Sequence, residues 1–510
     1  MPTRVRIAIL LALLGALSAC GGSTYGGTSS PPAPNPMPQR GELIDKPPTK
    51  VASFAPSDLV TLLSGSDLGK LLLQLSYAPK CSITVYHLTY QTVDPQDNIT
   101  PASGALMVPS GGDSGCTGGR PVVLYAHGTT TDRAFNIADI QAADSEEGLL
   151  LAAVFAAEGY IVVAPNYVGY DTSTLGYHPY LVADQQSKDM IDSLTAARSA
   201  LPTSDAPAST DGGKLFVTGY SQGGYVAMAT HSAMQSANMT VTASAPMSGP
   251  YALLAFADAV FEGEVNASGT VNGALLAVAY QKAYGDIYSA PSELFAAPYA
   301  ASIETLLPSD TSLSDLQTQG KFPAALFDST PPTPGDAIYT PATSPALFAG
   351  IFAAGFGTDF LIINAYRGAY LSDALAAPDG GFPMVTDGLP AANPTNTLRV
   401  HLKGNDLRNW TPTAPTLLCG GNSDPTVFFF NTTLMQQYWA GHPPAAAPVI
   451  LDIDSAVTAG DPYASLKTAF STAKAAVLAS GGEAAVLTDY HAGLVPPFCL
   501  SAVKSFFDAH

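Results

Sequence analysis

The sequence predicts an α/β fold, with a mostly parallel sheet, helices on both of its faces and a helical insertion. Strand-like apolar runs alternate with helix-like segments from about residue 120 to residue 250. The same alternation returns after residue 397, whereas residues 252–396 read as helical pieces broken by prolines. Strand–helix alternation is typical of a parallel sheet covered on both faces. We therefore predict a core in two parts, residues 49–251 and 397–510, with a helical cap formed by residues 252–396 over the carboxyl edge of the sheet.

The first part of the core supplies most of the predicted elements. Two short helices come first, and a strand with alternating polar and apolar residues follows. Later strands are continuously apolar, as expected for strands that are covered on both faces. The predicted strands are "CSITVYHLTYQTV", "ASGALMVPS", "RPVVLYAHG", "IVVAPNYVGY", "KLFVTGYS" and "VTASAPMSGPY". Helices are predicted between them, the longest over residues 179–201 and 223–237.

The second part continues the pattern with three predicted strands, "APTLLCGGNSD", "PVILDID" and "AAVLTDY". Helices are predicted near residues 427–441, over 463–480 and at the carboxyl terminus. In the insertion, residues 346–377 are apolar enough to suggest a membrane span. Asp359, Arg367 and several glycines interrupt that stretch, which favours a buried or lid helix instead.

The charge balance limits the possible partners. The formal net charge is −20, from 21 Lys and Arg against 41 Asp and Glu, and charged residues make up 12% of the chain. This balance argues against electrostatic binding of nucleic acid or of an anionic membrane surface. Because the acidity is spread thinly over the chain, we expect a neutral or apolar small-molecule or lipid substrate.

The amino terminus has the pattern of an export signal. Residues 1–19 combine Arg4 and Arg6 with a short apolar run. The run ends in "LSAC", which resembles the lipobox of bacterial lipoproteins and implies a lipidated Cys20. The alternative is ordinary signal cleavage, with Cys20 incidental. Residues 20–48 are rich in Gly, Ser and Pro and are predicted to be a flexible tether. We expect an exported protein, either a cell-envelope lipoprotein of the outer membrane or a secreted one.

Four further cysteines remain, Cys81, Cys116, Cys419 and Cys499. An even number in an exported protein predicts two disulfides, and four cysteines allow three pairings. We favour Cys81–Cys116 and Cys419–Cys499; the alternative is one bridge and two buried thiols. No spacing matches a zinc or redox motif, so no metal site is predicted.

The stretch "GYSQG" places Ser221 between Gly219 and Gly223. This is the G-x-S-x-G pattern of a nucleophile elbow, although a chain rich in Gly and Ser can match it by chance. The position of Ser221 at a predicted strand-to-helix junction supports the elbow. A tight turn there pushes a side chain out at the carboxyl end of the sheet, and only glycine fits around it.

A serine nucleophile needs a histidine base and a carboxylate that orients it. Enzymes with this elbow carry nucleophile, acid and histidine in that order along the chain. Five histidines follow Ser221: His231, His401, His442, His491 and His510. Only His491 is predicted to lie between a strand and a helix at the correct edge of the sheet. For the acid we favour Asp424, in a turn after a buried strand. Asp406, Asp452 and Asp454 rank second, and Asp-Pro is in any case a common turn dipeptide.

An oxyanion hole needs two N–H donors. The predicted donors are the backbone N–H groups of Gln222, directly after the nucleophile, and of Thr129, in the loop after "VVLYAHG". We expect His127 and Gly128 to support this loop, without a role for His127 as a base.

The motifs together resemble the α/β-hydrolase superfamily, and more narrowly its secretory lipase family. The matching pieces are "YAHGTT", "VVAPNYVGY", "GYHPYL", "GYSQGG", "NDLRNWTPTAPTLLCGGNSDPTV" and "DYHAGL". The resemblance implies a carboxylic ester hydrolase with a Ser221–Asp424–His491 triad, no cofactor and a cap that shapes the acyl pocket. One departure is that two predicted strands separate Asp424 from His491, where one is usual.

Three functions follow from this reading. The first is an esterase or lipase that cleaves esters of short- to medium-chain acids through an acyl-enzyme. The second is a serine peptidase of the same fold, although the insertion offers few charged residues to hold a peptide terminus. The third is a lipid-anchored binding protein that has lost catalysis.

Overall fold

The structure is a computed structural model that describes residues 38–75, 78–142, 146–201, 209–333, 337–379 and 388–510. Its main feature is a sheet of nine strands within these residues, in the order β1-β2-β3-β5-β4-β6-β7-β11-β12. The strands are β1 Thr49–Phe54, β2 Ser82–Val93, β3 Ile99–Ser110, β4 Gly118–Ala126, β5 Ile161–Pro165, β6 Ser209–Tyr220, β7 Ala243–Met247, β11 Leu417–Gly420 and β12 Val449–Asp452. The first three strands pair antiparallel, β3 pairs antiparallel with β5, and every later neighbour is parallel. The predicted mostly parallel sheet is confirmed.

Helices cover the sheet in two groups. The helices outside the insertion are α1 Pro56–Ser64, α2 Asp67–Gln74, α3 Glu146–Val154, α4 Ala183–Ala200, α5 Gln222–Ser236, α12 Thr397–Gly404, α13 Phe430–Gly441, α14 Ala464–Asp489 and α15 Val495–Asp508. Helix α4 packs against α5, and α3 packs against α15. The interior between helices and sheet is apolar: β5, for example, is buried along its whole length. Burial of both faces explains why this strand reads as an unbroken apolar run.

The insertion is more mixed than the sequence predicts. Its helices are α6 Leu253–Glu262, α7 Gly269–Tyr284, α8 Ala297–Ala300, α9 Leu313–Thr318, α10 Ala349–Ala354 and α11 Asn364–Ala376. It also holds a small parallel sheet of β8 Ala325–Asp328, β9 Phe356–Gly357 and β10 Phe360–Ile362, in the order β10-β8-β9. Nowhere in the described residues is a helix both long and apolar enough to cross a membrane.

The single helix expected over residues 346–377 is wrong. A 3₁₀ turn, α10, β9, β10 and α11 occupy this stretch in turn. The carbonyl of Gly355 accepts the N–H groups of Leu326 and Phe327, so that backbone pairing with β8 replaces helical hydrogen bonds. A Cβ at Gly355 would lie 2.4 Å from the Val265 side chain. Long-range packing at this glycine therefore overrides local helical preference.

The strand expected at "AAVLTDY" is also wrong. Residues 484–489 belong to α14, in which Gly482 adopts a positive φ of 72°. Within this stretch the buried residues are Val486 and Tyr490, four positions apart, which is the period of a helix rather than of a strand. Only β12 therefore separates Asp424 from His491, and the departure from the hydrolase pattern disappears.

The end of the segment expected as a tether is attached to the core. Leu43 is buried and pairs with Tyr90 of β2, and Arg40 Nε lies 3.0 Å from the Asp192 carboxylate. These contacts differ from the flexible tether predicted over residues 20–48. The signal segment and Cys20 lie outside the described residues, so the lipid anchor stays a prediction.

A disulfide lies within each part of the core, and buried ion pairs join the second part to the insertion. The predicted disulfides Cys81–Cys116 and Cys419–Cys499 are confirmed. Such bridges are typical of proteins that fold in an oxidising compartment. On α12, the buried guanidinium of Arg399 contacts Asp258 at 2.8 Å and Asp373 at 2.7 Å. Because both carboxylates belong to the insertion, these two buried ion pairs join the insertion to the second part of the core.

Candidate active site

The turn between β6 and α5 is a strained elbow centred on Ser221. Ser221 has φ 60° and ψ −122°, a conformation that costs a non-glycine residue about 1–3 kcal/mol. A Cβ on Gly219 would lie 2.3 Å from the Gly223 carbonyl oxygen, and one on Gly223 would lie 1.9 Å from that of Ala126. Glycine is therefore required on both sides. The turn is tight enough to lift the Ser221 side chain clear of the sheet.

Ser221, His491 and Asp424 form a hydrogen-bonded chain. His491 Nε2 lies 2.8 Å from Ser221 Oγ, and His491 Nδ1 lies 2.6 Å from Asp424 Oδ2. Asp424 is 2% exposed, and its other oxygen accepts the N–H groups of Thr426 and Val427 at 2.8 and 3.0 Å. The carboxylate is thus held in place from its own loop. It can accept a hydrogen bond from the Nδ1–H group, and this tautomer leaves Nε2 free to take the proton of the Ser221 hydroxyl.

His491 is carried by a π-helical turn, Tyr490–Leu494, between α14 and α15. The Tyr490 hydroxyl donates to Asp454 at 2.7 Å and accepts the Ser423 N–H at 3.2 Å. Tyr490 therefore links the histidine turn to the loop that carries Asp424. On the other side, the Tyr220 hydroxyl donates to the His491 carbonyl at 2.6 Å. Neither tyrosine is identified as part of the site by sequence, because its partners lie far away along the chain.

The alternative histidines and acids are engaged elsewhere. His231 contacts Ser244 Oγ, His401 contacts Asp286, and His442 and His510 contact backbone carbonyls of their own helices. Among the acids, Asp406 pairs with Arg408, while Asp452 accepts hydrogen bonds from Asn422. Asp454 accepts the hydroxyl hydrogen bond of Tyr490. It therefore supports the turn that carries His491 but does not contact the His491 ring.

The loop after β4 lies directly beside Ser221. A Cβ on Gly128 would be 3.9 Å from the Ser221 Cβ. The Gly128 N–H is already used, since it donates to both Glu147 oxygens at 3.2 and 3.1 Å. The Thr129 N–H is thereby left as the candidate donor from this loop. Gln222 is the first residue of α5, so its N–H has no partner within the helix and can serve as the second donor.

His127 is buried under this loop. Its ring stacks on Tyr167 with ring centroids 4.2 Å apart, and its nitrogens contact the carbonyls of Gly128 and Asn166. Burial lowers the pKa of His127 to about 4. Burial thus disfavours the charged ring, and both ring nitrogens face backbone carbonyls, so that neither is available to Ser221 as a base.

His178, in the "GYHPYL" motif, is buried and contacts Gln222, the residue that follows Ser221 in the elbow. Its Nδ1 contacts the Val168 carbonyl at 2.9 Å, and its Nε2 lies 2.6 Å from the Gln222 side-chain nitrogen. Burial lowers the pKa of His178 to about 3. A neutral ring that donates from Nδ1 and accepts at Nε2 satisfies both contacts. The "GYHPYL" motif can be found in the sequence, but only the folded structure shows that its histidine contacts the Gln222 side chain.

Two cavities meet at Ser221. The narrow cavity has a volume of about 80 Å³ and also contacts Gln222. Helices α6 and α7 supply about half of its lining residues, and its walls are almost wholly apolar. The contributing residues are Leu253, Phe256, Ala257, Val260 and Phe261 from α6, and Gly269, Asn272, Gly273, Leu276 and Ala277 from α7.

The wide cavity has a volume of about 510 Å³ and is more polar. His491 lines this cavity, together with Gly128 and Thr129 of the loop after β4 and the carboxylates of Glu146 and Glu147. Within the described residues no group of three or more His, Cys, Asp or Glu side chains is arranged to hold a metal ion.

Comparison with known proteins agrees with the fold. The family model of the prolyl oligopeptidase family matches residues 150–284, which include β6, Ser221 and α5. No curated protein sequence matches the chain.

Solved structures match nearly the whole chain. A ligand-bound form of the rice cell wall degrading esterase LipA from Xanthomonas oryzae is 25% identical, with a TM-score of 0.65, over 92% of this chain and 98% of that chain. A second structure of the same esterase is 26% identical, with a TM-score of 0.63, over 89% of this chain and 98% of that chain. A structure from Legionella pneumophila shares the fold, with 19% identity and a TM-score of 0.62 over 92% and 98% of the two chains.

The sheet order, the elbow and these matches define the class: the chain is an α/β-hydrolase. Within that superfamily it resembles the esterase LipA.

Proposed function

We propose that the protein is a serine ester hydrolase that cleaves neutral carboxylic esters with short- to medium-chain acyl groups. The observation that carries this proposal is the chain of contacts from Ser221 Oγ through His491 to the buried Asp424, at 2.8 and 2.6 Å. A base within hydrogen-bond reach of the nucleophile, oriented by a third group, is the arrangement that acyl transfer requires. The similarity to a plant cell wall degrading esterase supports the same reaction.

The proposed reaction has two halves. Ser221 Oγ attacks the ester carbonyl carbon while His491 Nε2 accepts the hydroxyl proton, and the N–H groups of Gln222 and Thr129 stabilise the oxyanion. When the tetrahedral intermediate collapses, the C–O bond to the alcohol breaks and His491 returns the proton to the leaving oxygen. Water then attacks the acyl-enzyme, with His491 again as base, and releases the acid.

The two cavities suggest where each half of the ester binds. The leaving oxygen must lie next to His491, which lines the wide cavity. The acyl chain then occupies the narrow cavity, whose walls from α6 and α7 are apolar. An apolar slot of limited volume favours short or medium acyl chains, since each buried methylene contributes about 0.8 kcal/mol only while the chain still fits.

The proposal is tested with a series of p-nitrophenyl esters from acetate to palmitate and with Ser221→Ala as the control. We expect turnover that peaks at short or medium chains and falls by about 10⁴-fold or more in the variant. A folded wild-type protein that hydrolyses no ester would contradict the proposal. It would then leave the non-catalytic binding protein and the peptidase as explanations.

A serine peptidase is the second candidate, and the match to the prolyl oligopeptidase family over residues 150–284 favours it. The same triad can cleave an amide. However, the described residues that line the two cavities include no Lys or Arg to hold a peptide carboxylate. Peptide anilides separate the candidates: anilide turnover in the absence of ester turnover would establish the peptidase.

A further inference from the structure

Glu147 lies on the first turn of α3, on the wall of the wide cavity beside Ser221. The first part of the argument is its contacts with the loop after β4. The Gly128 N–H donates to both of its carboxylate oxygens, and the Tyr125 hydroxyl donates to one of them at 2.5 Å. A single side chain thus joins the end of β4 to the loop residue that precedes Thr129. If these bonds were lost, the Gly128 N–H would be free to turn and the Thr129 N–H would lose its fixed direction.

The second part is the distance of this carboxylate from the reacting atoms. A Cβ on Gly128 would lie 3.7 Å from Glu147 Oε2 and 3.9 Å from the Ser221 Cβ. Gly128, which has no side chain, therefore lies between the Glu147 carboxylate and Ser221. A charge at that depth in a cavity wall acts on bound groups with little screening by water. His491 lines the same cavity and must lie next to the leaving oxygen. The Glu147 charge therefore acts on the alcohol part of the ester.

We propose that Glu147 is both a positioning residue for the loop after β4 and a specificity-determining residue that makes the wide cavity select against anionic leaving groups. This inference rests on the proposed ester hydrolysis. The other charged or titratable groups that face Glu147 come from each neighbouring element. They are Tyr125 on β4, Tyr167 after β5, Tyr220 on β6, His491 in its turn, and Glu146 beside it on α3. No Lys or Arg is among the described residues that line this cavity.

The Glu147 carboxyl group changes from mainly neutral to mainly ionised between pH 6 and pH 8.5. Burial raises the pKa of Glu147 to about 7, although the hydrogen bonds from Tyr125 and Gly128 oppose the rise. The group is therefore mainly neutral at pH 6 and mainly ionised at pH 8.5. Selection by charge should be strong at the higher pH and weak at the lower one. The ratio of two substrates isolates this effect, because both esters need the same His491 base.

The experiment uses three butyrate esters of similar size: choline butyrate, the neutral 3,3-dimethylbutyl butyrate and the anionic 2-sulfoethyl butyrate. For the wild type at pH 8.5 we expect kcat/KM for the cationic ester to exceed that for the anionic ester by about 30-fold or more. At pH 6 the ratio should fall to a few-fold. In Glu147→Gln, which keeps an acceptor for Gly128 and removes the charge, the ratio should be small and independent of pH.

The positioning role is measured with the neutral ester alone. Glu147→Ala should lower kcat by about 10-fold or more with little change in KM, since the misplaced donor is needed only when the oxyanion forms in the transition state. Glu147→Gln should recover most of that loss. Glu483→Gln is the matched control, because it removes the same charge from an exposed position on α14 that lines neither cavity, and it should leave the charge ratio unchanged. Melting curves show whether each variant is folded.

The outcomes separate the two claims. A charge ratio in the wild type that does not change with pH, or that survives in Glu147→Gln, overturns the specificity role. A kcat in Glu147→Ala equal to that of the wild type overturns the positioning role. Turnover of the neutral ester supports ester hydrolysis whatever the charge ratio. If no ester is turned over, ester hydrolysis itself fails, and the inference fails with it.

Discussion

The two cavities that meet at Ser221 are built from different parts of the molecule. The narrow cavity is lined mainly by residues of the insertion and is almost wholly apolar. The wide cavity is lined mainly by core residues near strand ends and helix starts, and it holds His491, Glu146 and Glu147. Helix α7 contributes to both, with Ala277 on the narrow side and Val271 on the wide side.

Under the proposed function, this difference divides the tasks of the site between the core and the insertion. The groups proposed to move protons and to face charge come from the sheet and its loops, whose geometry the parallel strands fix. The residues proposed to bind the acyl chain come mainly from the insertion, where shape and apolar surface suffice. Changes in the core should therefore alter rate or charge selectivity, whereas changes on the insertion side should alter chain-length preference.

The largest effect is expected for Asp424→Asn, which acts on the core side. An asparagine can still accept the N–H groups of Thr426 and Val427, but it no longer selects the tautomer in which His491 Nε2 is a base. We expect kcat to fall by about 10⁴-fold, with the fold retained. The measurement is steady-state hydrolysis of p-nitrophenyl butyrate.

Asp452→Asn is its control, since that nearby carboxylate binds Asn422 and does not contact His491. An equal loss in both variants would mean that general damage to this edge of the sheet, rather than loss of the acid, explains the effect.

A smaller effect is expected for Ala277→Phe on the narrow side. The added ring fills part of the cavity, so we expect kcat/KM for decanoate to fall by about 10-fold or more, while acetate changes less than about threefold. Val271→Phe places the same ring on the same helix but in the wide cavity. It should leave the acyl preference unchanged and instead disfavour bulky alcohols. Identical chain-length profiles for the two variants would contradict the assignment of the cavities.

The smallest effect concerns His178, which contacts Gln222 in the elbow. It is measured as a change in the free energy of unfolding. Burial holds the pKa of His178 at about 3 in the folded protein, against about 6.5 in an unfolded chain. Below pH 6.5 the unfolded chain therefore binds a proton that the folded protein does not. His178 thus lowers stability as the pH falls from 6.5 towards 3. Between pH 7.5 and pH 5 this loss amounts to about 2 kcal/mol.

The residue responsible is isolated with His178→Gln, which can still donate to the Val168 carbonyl and accept from Gln222. The free energy of unfolding of wild type minus variant should fall by about 2 kcal/mol between pH 7.5 and pH 5. Denaturant titrations at both pH values measure it. A difference that stays constant with pH would show that His178 is not kept neutral by burial.

Most of the sheet and all three residues of the hydrogen-bonded chain are predictable from sequence. Buried parallel strands appear in the sequence as continuous apolar runs. The elbow requires glycine on both sides of Ser221. Both features can therefore be recognised from short stretches of sequence. The disulfide pairing is predicted correctly as well, since each bridge joins neighbouring parts of the core. The structure places His491 beside Ser221, as predicted, but the strand predicted before it is wrong, and its catalytic role stays a proposal. The residue follows a helix, because the burial of Val486 and Tyr490 has helical spacing that a short apolar run conceals.

The sequence by itself determined the layers of the fold and the order of Ser221, Asp424 and His491, because these depend on periodicity and on local turn geometry. Only the tertiary structure decided the small sheet of the insertion, the roles of Tyr490 and His178, and the position of Glu147 under Gly128. Each of these rests on contacts between residues distant in the chain, such as Gly355 with Leu326 or Tyr490 with Asp454. Packing and hydrogen bonding across the folded chain select such contacts, and no local pattern records them.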